Sequence, residues 1–287
     1  MTGATYPSHH VPVAYPGGPF WMHAVELAAC LALGQRALVV GPPGSGKTTL
    51  LMQIGRAINV TEPDAETHVL LIDRPVEEFL EWRADLPAAH VHGTSTDDDV
   101  EDHTGVDAPF AHAQERLEQG LDTVLLIDSL AAFARALNAT LPYDERILTG
   151  GIMMTALQAT RQRFATARAL EGGGSITIVA TASMDTGSEL DDVVFHELVG
   201  TGNMEIRLSA EARDARLFPA LDIAASGARH TELIVGEYAA RARGELRSQV
   251  SAHGITAGLS LLLGQLESTG DLNSLLDQAG SNPESTS

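Results

Sequence analysis

Residues 41–48 read Gly-Pro-Pro-Gly-Ser-Gly-Lys-Thr, the spacing G-x-x-x-x-G-K-T. These residue types together build a phosphate-binding loop. Gly41, Gly44 and Gly46 allow the backbone to curl so that successive N–H groups face phosphate oxygens. Ser45 and Thr49 belong to the same cradle. Lys47 supplies a cation for the β- and γ-phosphates, and the Thr48 hydroxyl is a ligand for Mg²⁺. Glycines alone would fit an ordinary turn. The context excludes that reading: an apolar run, 37–40, leads in, and an amphipathic helix opens at Lys47. A second run, 122–128 (DTVLLID), places Asp128 after four apolar residues, the pattern of an acid that holds Mg²⁺ through water.

The elements that must carry these residues alternate. Apolar β-type runs occur at 37–40, 68–73, 122–128 and 175–181, with a short one at 90–92 (HVH) whose alternating histidines fit a sheet surface. Later strands are expected at 204–208 and 217–223. Helical spacing occupies 20–33, the stretch after Lys47, 76–82, a segment ending near Gly120, and 129–139. A longer helix is expected over 153–170, carrying Arg161, Arg163 and Arg168 and stopped by Gly172–Gly174. Residues 184–192 read as a loop, and 255–278 as two short helices separated by Gly270 and Asp271. Strands alternating with helices make an α/β fold with a mainly parallel sheet covered by helices on both faces. No internal repeat is present.

The 287 residues are 44% hydrophobic, ample for one large domain over 20–278. Residues 1–19, punctuated by Pro and Gly, are expected to be a flexible tail, and 279–287 a disordered polar end. His9 and His10 have no further ligands nearby in sequence. No apolar run reaches membrane-span length and no signal peptide opens the chain, so a cytoplasmic protein with no membrane partner is expected. Cys30 is the single cysteine and reads as a buried structural thiol. The balance of 38 acidic to 18 basic residues, net −20, slows rather than steers an approach to nucleic acid. The acidic stretch 94–107 lacks the glycine and terminal glutamate of an EF-hand and reads as a solvated turn.

Beyond these motifs, the chain resembles the ATPase core of transcription termination factor Rho, a RecA-like hexameric helicase. The resemblance rests on GQRALVVGPPGSGKTTLL (34–51), LLIDSLAAFARA (125–136), ILTGG (147–151), EGGGSITIVATASMDTGS (171–188), GTGNMEIRLS (200–209) and RLFPALDIAASGAR (216–229). These run in the same order over roughly 22–278. The family's N-terminal RNA-capture unit is expected to be absent, with only the short tail in its place. The resemblance implies a RecA-like P-loop NTPase using ATP and Mg²⁺, with Lys47, Asp128 and Arg229 as catalytic residues. Thr48 and Asp128 would serve the metal, and Phe218 would stack on adenine. Arg229, in SGAR, matches the arginine finger offered to a neighbouring subunit, which implies a homo-oligomeric ring such as a hexamer. Arg146, Thr149, Gly150, Gly151, Gly187 and Ser188 match loops that face RNA in the pore.

Three positions depart from the family pattern. Arg74 follows Asp73 where the family has a glutamate that polarises the attacking water; losing such a base costs about 10²- to 10⁴-fold in rate. Glu189, with Asp191 and Asp192, stands where a pore-loop lysine is expected, and Asp144 and Glu145 precede Arg146. Gly44 replaces a lysine of the phosphate loop. Two functions therefore follow from the resemblance. One is an RNA-dependent ATPase of helicase type related to transcription termination. The other is a catalytically weak, nucleotide-gated assembly or regulatory partner, for example of Rho or the transcription machinery. A RecA-type ATPase acting on another polymer is a third.

Overall fold

A computed structural model describes residues 3–96 and 105–280. In chain order its strands are β1 (Ala4–Thr5), β2 (His10–Val11), β3 (Leu31–Ala32), β4 (Arg36–Gly41), β5 (Glu66–Arg74), β6 (His90–Ser95), β7 (Asp122–Asp128), β8 (Arg168–Leu170), β9 (Ser175–Ser183), β10 (Met204–Leu208) and β11 (Leu221–Ala228). Its helices are α1 (Met22–Ala28), α2 (Lys47–Thr61), α3 (Val76–Asp85), α4 (Ala108–Glu118), α5 (Leu130–Thr140), α6 (Met154–Phe164), α7 (Glu189–Val199), α8 (Ala210–Asp214), α9 (Thr231–Val235), α10 (Glu237–Ser251), α11 (Ile255–Thr269) and α12 (Leu272–Gly280).

The main sheet runs β11-β10-β4-β9-β7-β5-β6. From β10 to β6 every neighbour is parallel, while β11 pairs antiparallel to β10. Continuous apolar runs are what parallel strands need, because both faces are covered. β4 illustrates the division: Ala37 and Val39 pack on one side of the sheet with α2, while Leu38 and Val40 pack on the other with α5 and α6. On α2 the buried Leu50, Leu51, Ile54, Ala57 and Ile58 repeat at helical spacing. Parallel alignment brings the carboxyl ends of β4, β5, β7 and β9 to one edge, where α/β folds bind ligands.

The expected flexible tail is not what the structure contains. β1 adds antiparallel to β8, and β2 pairs with β3. Val11 and Val13 are fully buried. The buried Glu26 carboxylate accepts from the Val13 amide at 2.8 Å and meets His10 Nε2 at 2.7 Å and Arg243 Nη2 at 3.3 Å. A two-residue strand carries no periodicity to read, so polar composition alone was misleading here.

Other boundaries differ too. The helix expected over 153–170 ends at Phe164, and Arg168 lies in β8, a short strand between β1 and β9 that returns along β9. Gly172, Gly173 and Gly174, all at positive φ, make the hairpin turn rather than a helix stop. Within the expected loop 184–192, α7 already begins at Glu189, because the Ser188 side chain accepts from the Asp191 amide as its cap. Residues 20–33 divide into α1 and β3, and β11 starts at Leu221 rather than 217. Of the acidic stretch 94–107, residues 97–104 lie outside the described residues, as do 281–287 of the polar end. Cys30 is buried, and burial pushes its thiol up to about 11. No helix among the described residues is long and apolar enough to cross a membrane.

Burial opposes the charge on Glu26, but His10, Arg243 and the Val13 amide outweigh it and hold the carboxyl below its ordinary range. A carboxyl lowered on folding stabilises the native state above its unfolded value, and that contribution disappears as the pH falls through the lowered one. Glu26→Ala strands Arg243 and should cost about 3 kcal/mol, read from the urea midpoint at neutral pH, with the deficit shrinking in acid.

Candidate nucleotide-binding site

The phosphate loop joins β4 to α2. Gly44 and Gly46 have φ of 71° and 91°, in the left-handed region that favours glycine. A Cβ at Gly41 would lie 2.6 Å from Ser45 Oγ, and one at Gly46 would lie 3.1 Å from the Phe218 ring. Ser45 is buried and its hydroxyl donates to the Pro42 carbonyl at 2.8 Å, tightening the turn. Arg213 Nη1 holds the Pro43 carbonyl at 2.8 Å from α8. Lys47 Nζ donates to the carbonyls of Gly41 and Pro42, both at 2.9 Å, so it crosses the mouth of the loop. Burial lowers the Lys47 ammonium pKa; Asp128 and Asp191 oppose this and Arg74 adds to it. Thr49 is exposed on the first turn of α2.

Asp128 ends β7 and is buried, with 2% of its surface exposed. Its Oδ2 accepts from Thr48 Oγ1 at 2.6 Å. Its Oδ1 accepts from Thr181 Oγ1 at 2.6 Å and from Arg74 Nη2 at 2.7 Å. Arg74 Nη1 also stands 3.6 Å from Glu78. The hard oxygen pair of Thr48 and Asp128, already in contact, is the donor set Mg²⁺ requires, so these residues fit that ion. Arg74 is the complication: it places a fixed positive charge on the same carboxylate. Thr181 was missed in the sequence; the signal was a polar residue inside the apolar run of β9. Asp73 is not aimed as a simple substitute base: it has φ 52°, and its carboxylate meets Thr94 and Arg135.

Phe218 is half exposed and packs edge-on against Trp21, with ring centroids 4.8 Å apart, beside Gly46. It is therefore not a core phenylalanine. Arg229 lies elsewhere. Its amide donates to the Asn203 carbonyl at 2.8 Å, and Asn203 Oδ1 accepts from the Arg36 amide at 2.7 Å. Arg229 thus sits beside the start of β4, whereas the phosphate loop leaves its end, about 17 Å away by strand rise. It is exposed there, at a cavity of about 550 Å³ also lined by Tyr6, Arg36, Arg168 and His230. At that distance its side chain does not reach its own chain's phosphate loop.

Residues 22–228 match the ATP synthase alpha/beta family, nucleotide-binding domain. The chain belongs to this family. Among curated relatives it is 43% identical over 212 residues to transcription termination factor Rho of Chromobacterium violaceum, covering 74% of this chain and 50% of that protein. It is 38% identical over 263 residues to Rho of Aquifex aeolicus, covering 91% and 60%. The chain spans between 36 and 62% of the length of the first curated Rho relatives. A type III secretion system ATPase from pathogenic bacteria superposes with a TM-score of 0.70 at 22% identity, over 88% of this chain and 71% of that one. That likeness is one of fold, and the resemblance to the Rho ATPase core stands.

In this Rho-like core the two expected pore loops are brought together. Thr149, Gly150 and Gly151 form a 3₁₀ turn, and a Cβ at Gly150 would come within 2.5 Å of the Leu190 amide nitrogen. Gly187 has φ 75°, and Ser188 caps α7. Arg146 is exposed and paired with a carboxylate of its own loop. Its Nε and Nη2 donate to the two Asp144 oxygens at 3.1 and 3.0 Å. That pairing raises the Arg146 pKa and holds the Asp144 carboxyl down. Glu189, Asp191 and Asp192 fill the first turn of α7, where carboxylates are stabilised by the helix N-terminus.

Lys47→Ala should weaken equilibrium binding of a fluorescent ATP analogue by about 10- to 100-fold, the worth of a charge-assisted contact. Phe218→Ala should weaken ATP by about 1–3 kcal/mol while leaving inorganic triphosphate unaffected, if its ring stacks on the base.

Proposed function

We propose that the chain is a Rho-type ATP- and Mg²⁺-binding protein that assembles into a homo-oligomeric ring and turns ATP over slowly. The observation that carries this reading is the Arg74–Asp128 contact of 2.7 Å. Arg74 occupies the position that the family resemblance assigns to the water-polarising glutamate. A guanidinium there accepts no proton from water and withdraws charge from the Asp128 carboxylate that would hold the metal.

In this account the loop amides and Lys47 bind the phosphates, Thr48 and Asp128 hold Mg²⁺, and Phe218 orients the base. When bound there, the ion would supply positive charge against the phosphates. Arg229 reaches the neighbouring subunit's nucleotide, a contact worth about 10³- to 10⁵-fold in rate where such fingers operate. Arg74, opposite the phosphates, favours a long-lived ATP state, so nucleotide would act chiefly as a signal for assembly. The partner of such an assembly is Rho itself or the transcription machinery.

A second reading is an RNA-dependent helicase-type motor. The packing of Gly150 against Leu190, which sets the two loops side by side, favours it. The bidentate hold of Asp144 on Arg146 and the acids of α7 weigh against it, since phosphate backbones are gripped by free cations.

Steady-state ATP hydrolysis with and without single-stranded RNA separates the two. The proposal expects a slow rate that RNA does not alter, and a rise of about 10-fold or more in Arg74→Glu, part of the 10²- to 10⁴-fold worth of a general base. Brisk hydrolysis stimulated by RNA and abolished by Lys47→Ala would establish the motor instead.

A further inference from the structure

At the end of the sheet opposite the phosphate loop, the starts of β5 and β6 meet α4. Six residues of strand, about 20 Å, separate His68 here from Arg74 at the nucleotide edge. One oxygen of Glu66 gathers imidazoles from two elements. His112 Nε2, from α4, lies 2.7 Å from Oε1, and His68 Nε2, from β5, lies 2.8 Å from the same oxygen. His90 Nε2, from β6, stands 3.7 Å away from it. The ligand atoms of Glu66, His68 and His112 all fall within 4.8 Å of one another. In its short strand His90 directly faces His68 across the β5–β6 ladder.

We propose that Glu66, His68 and His112 form a binding site for a divalent late transition metal such as Zn²⁺, with His90 as the fourth ligand. Ligand atoms bound tetrahedrally at about 2.0–2.1 Å stand roughly 3.3 Å apart, so small side-chain shifts complete the sphere. Two imidazole nitrogens aimed at one carboxylate oxygen are held there by protons that such an ion replaces. Nitrogen donors select Zn²⁺, Ni²⁺, Co²⁺ or Cu²⁺ over Mg²⁺ and Ca²⁺, which prefer oxygen.

The surroundings complete the arrangement. His68 is buried, and its Nδ1 lies 2.9 Å from His92 Nε2, so with metal on Nε2 the other ring nitrogen donates its proton to His92. The second oxygen of Glu66 accepts from Arg116 Nη1 at 2.9 Å, and Arg116 Nε is fixed on Thr123 Oγ1 at 3.1 Å. That contact orients the carboxylate so that Oε1 alone faces the imidazoles. A metal here ties the edge strand β6 to β5 and α4, and the site does not depend on the nucleotide reading.

The test is calorimetric titration of ZnCl₂ into untagged, chelator-stripped full-length protein without nucleotide or Mg²⁺. One Zn²⁺ per chain is expected, with micromolar or tighter affinity, a raised melting temperature, and the visible absorption of a tetrahedral site when Co²⁺ is substituted. His112→Ala removes an exposed ligand and should weaken Zn²⁺ by at least about tenfold and abolish the thermal shift. His112→Asn, retaining a polar surface group, should do the same, with circular dichroism confirming that both variants fold. No Zn²⁺ binding, or binding that both His112 variants leave unchanged, would overturn the site.

Discussion

The nucleotide edge of this molecule depends on one carboxylate. Asp128 is buried at the end of β7, and its two oxygens are divided among Thr48 from the phosphate loop, Thr181 from β9 and Arg74 from β5. A buried anion of this kind needs every acceptor site satisfied, and here the partners come from three other elements. Parallel pairing makes that convergence possible, because it brings the carboxyl ends of neighbouring strands to the same level. The loop glycines then let α2 begin directly above it. In the function proposed above the same carboxylate holds Mg²⁺, so the guanidinium of Arg74 and that cation would compete for one group.

Much of this edge was legible in the sequence, and the limit can be located. Gly44, Gly46, Lys47 and Thr48 declare themselves because the backbone turn and the phosphate chemistry both demand those residue types. Asp128 is legible because a buried strand ending in an acid needs a reason. Arg74 was visible as a departure, but its partner was not: 54 residues separate it from Asp128, and only strand order joins them. The histidines at 68, 90, 92 and 112 were equally opaque. The period-2 pattern puts His90 and His92 on one face, yet nothing in the sequence says that α4 lays His112 over that face.

The misread segments share a cause. Residues 161–170 are rich in good helix formers, but β8 is chosen by the first residues of β9, Ser175 and Ile176, which β4 does not reach, a tertiary preference that local propensity does not contain. The N-terminal residues lack any repeat and are fixed by Glu26, whose partner Arg243 comes from α10 more than two hundred residues later. Between these extremes, the role of Arg229 comes from family resemblance alone, and the sheet shows only where the residue lies. β11 runs antiparallel to β10, which carries its last residues to the far end of the sheet, away from their own phosphate loop and outward.

The most direct measurement is the Mg²⁺ concentration that half-saturates ATP binding in wild type and in Arg74→Ala, followed by a fluorescent nucleotide. A unit positive charge beside a divalent ion costs about 1–2 kcal/mol even at high dielectric, roughly a tenfold effect. If Arg74 competes with Mg²⁺ for Asp128, the variant reaches half-saturation at about one tenth of the wild-type concentration. An unchanged or higher Mg²⁺ requirement in the variant would contradict the competition on which this account rests.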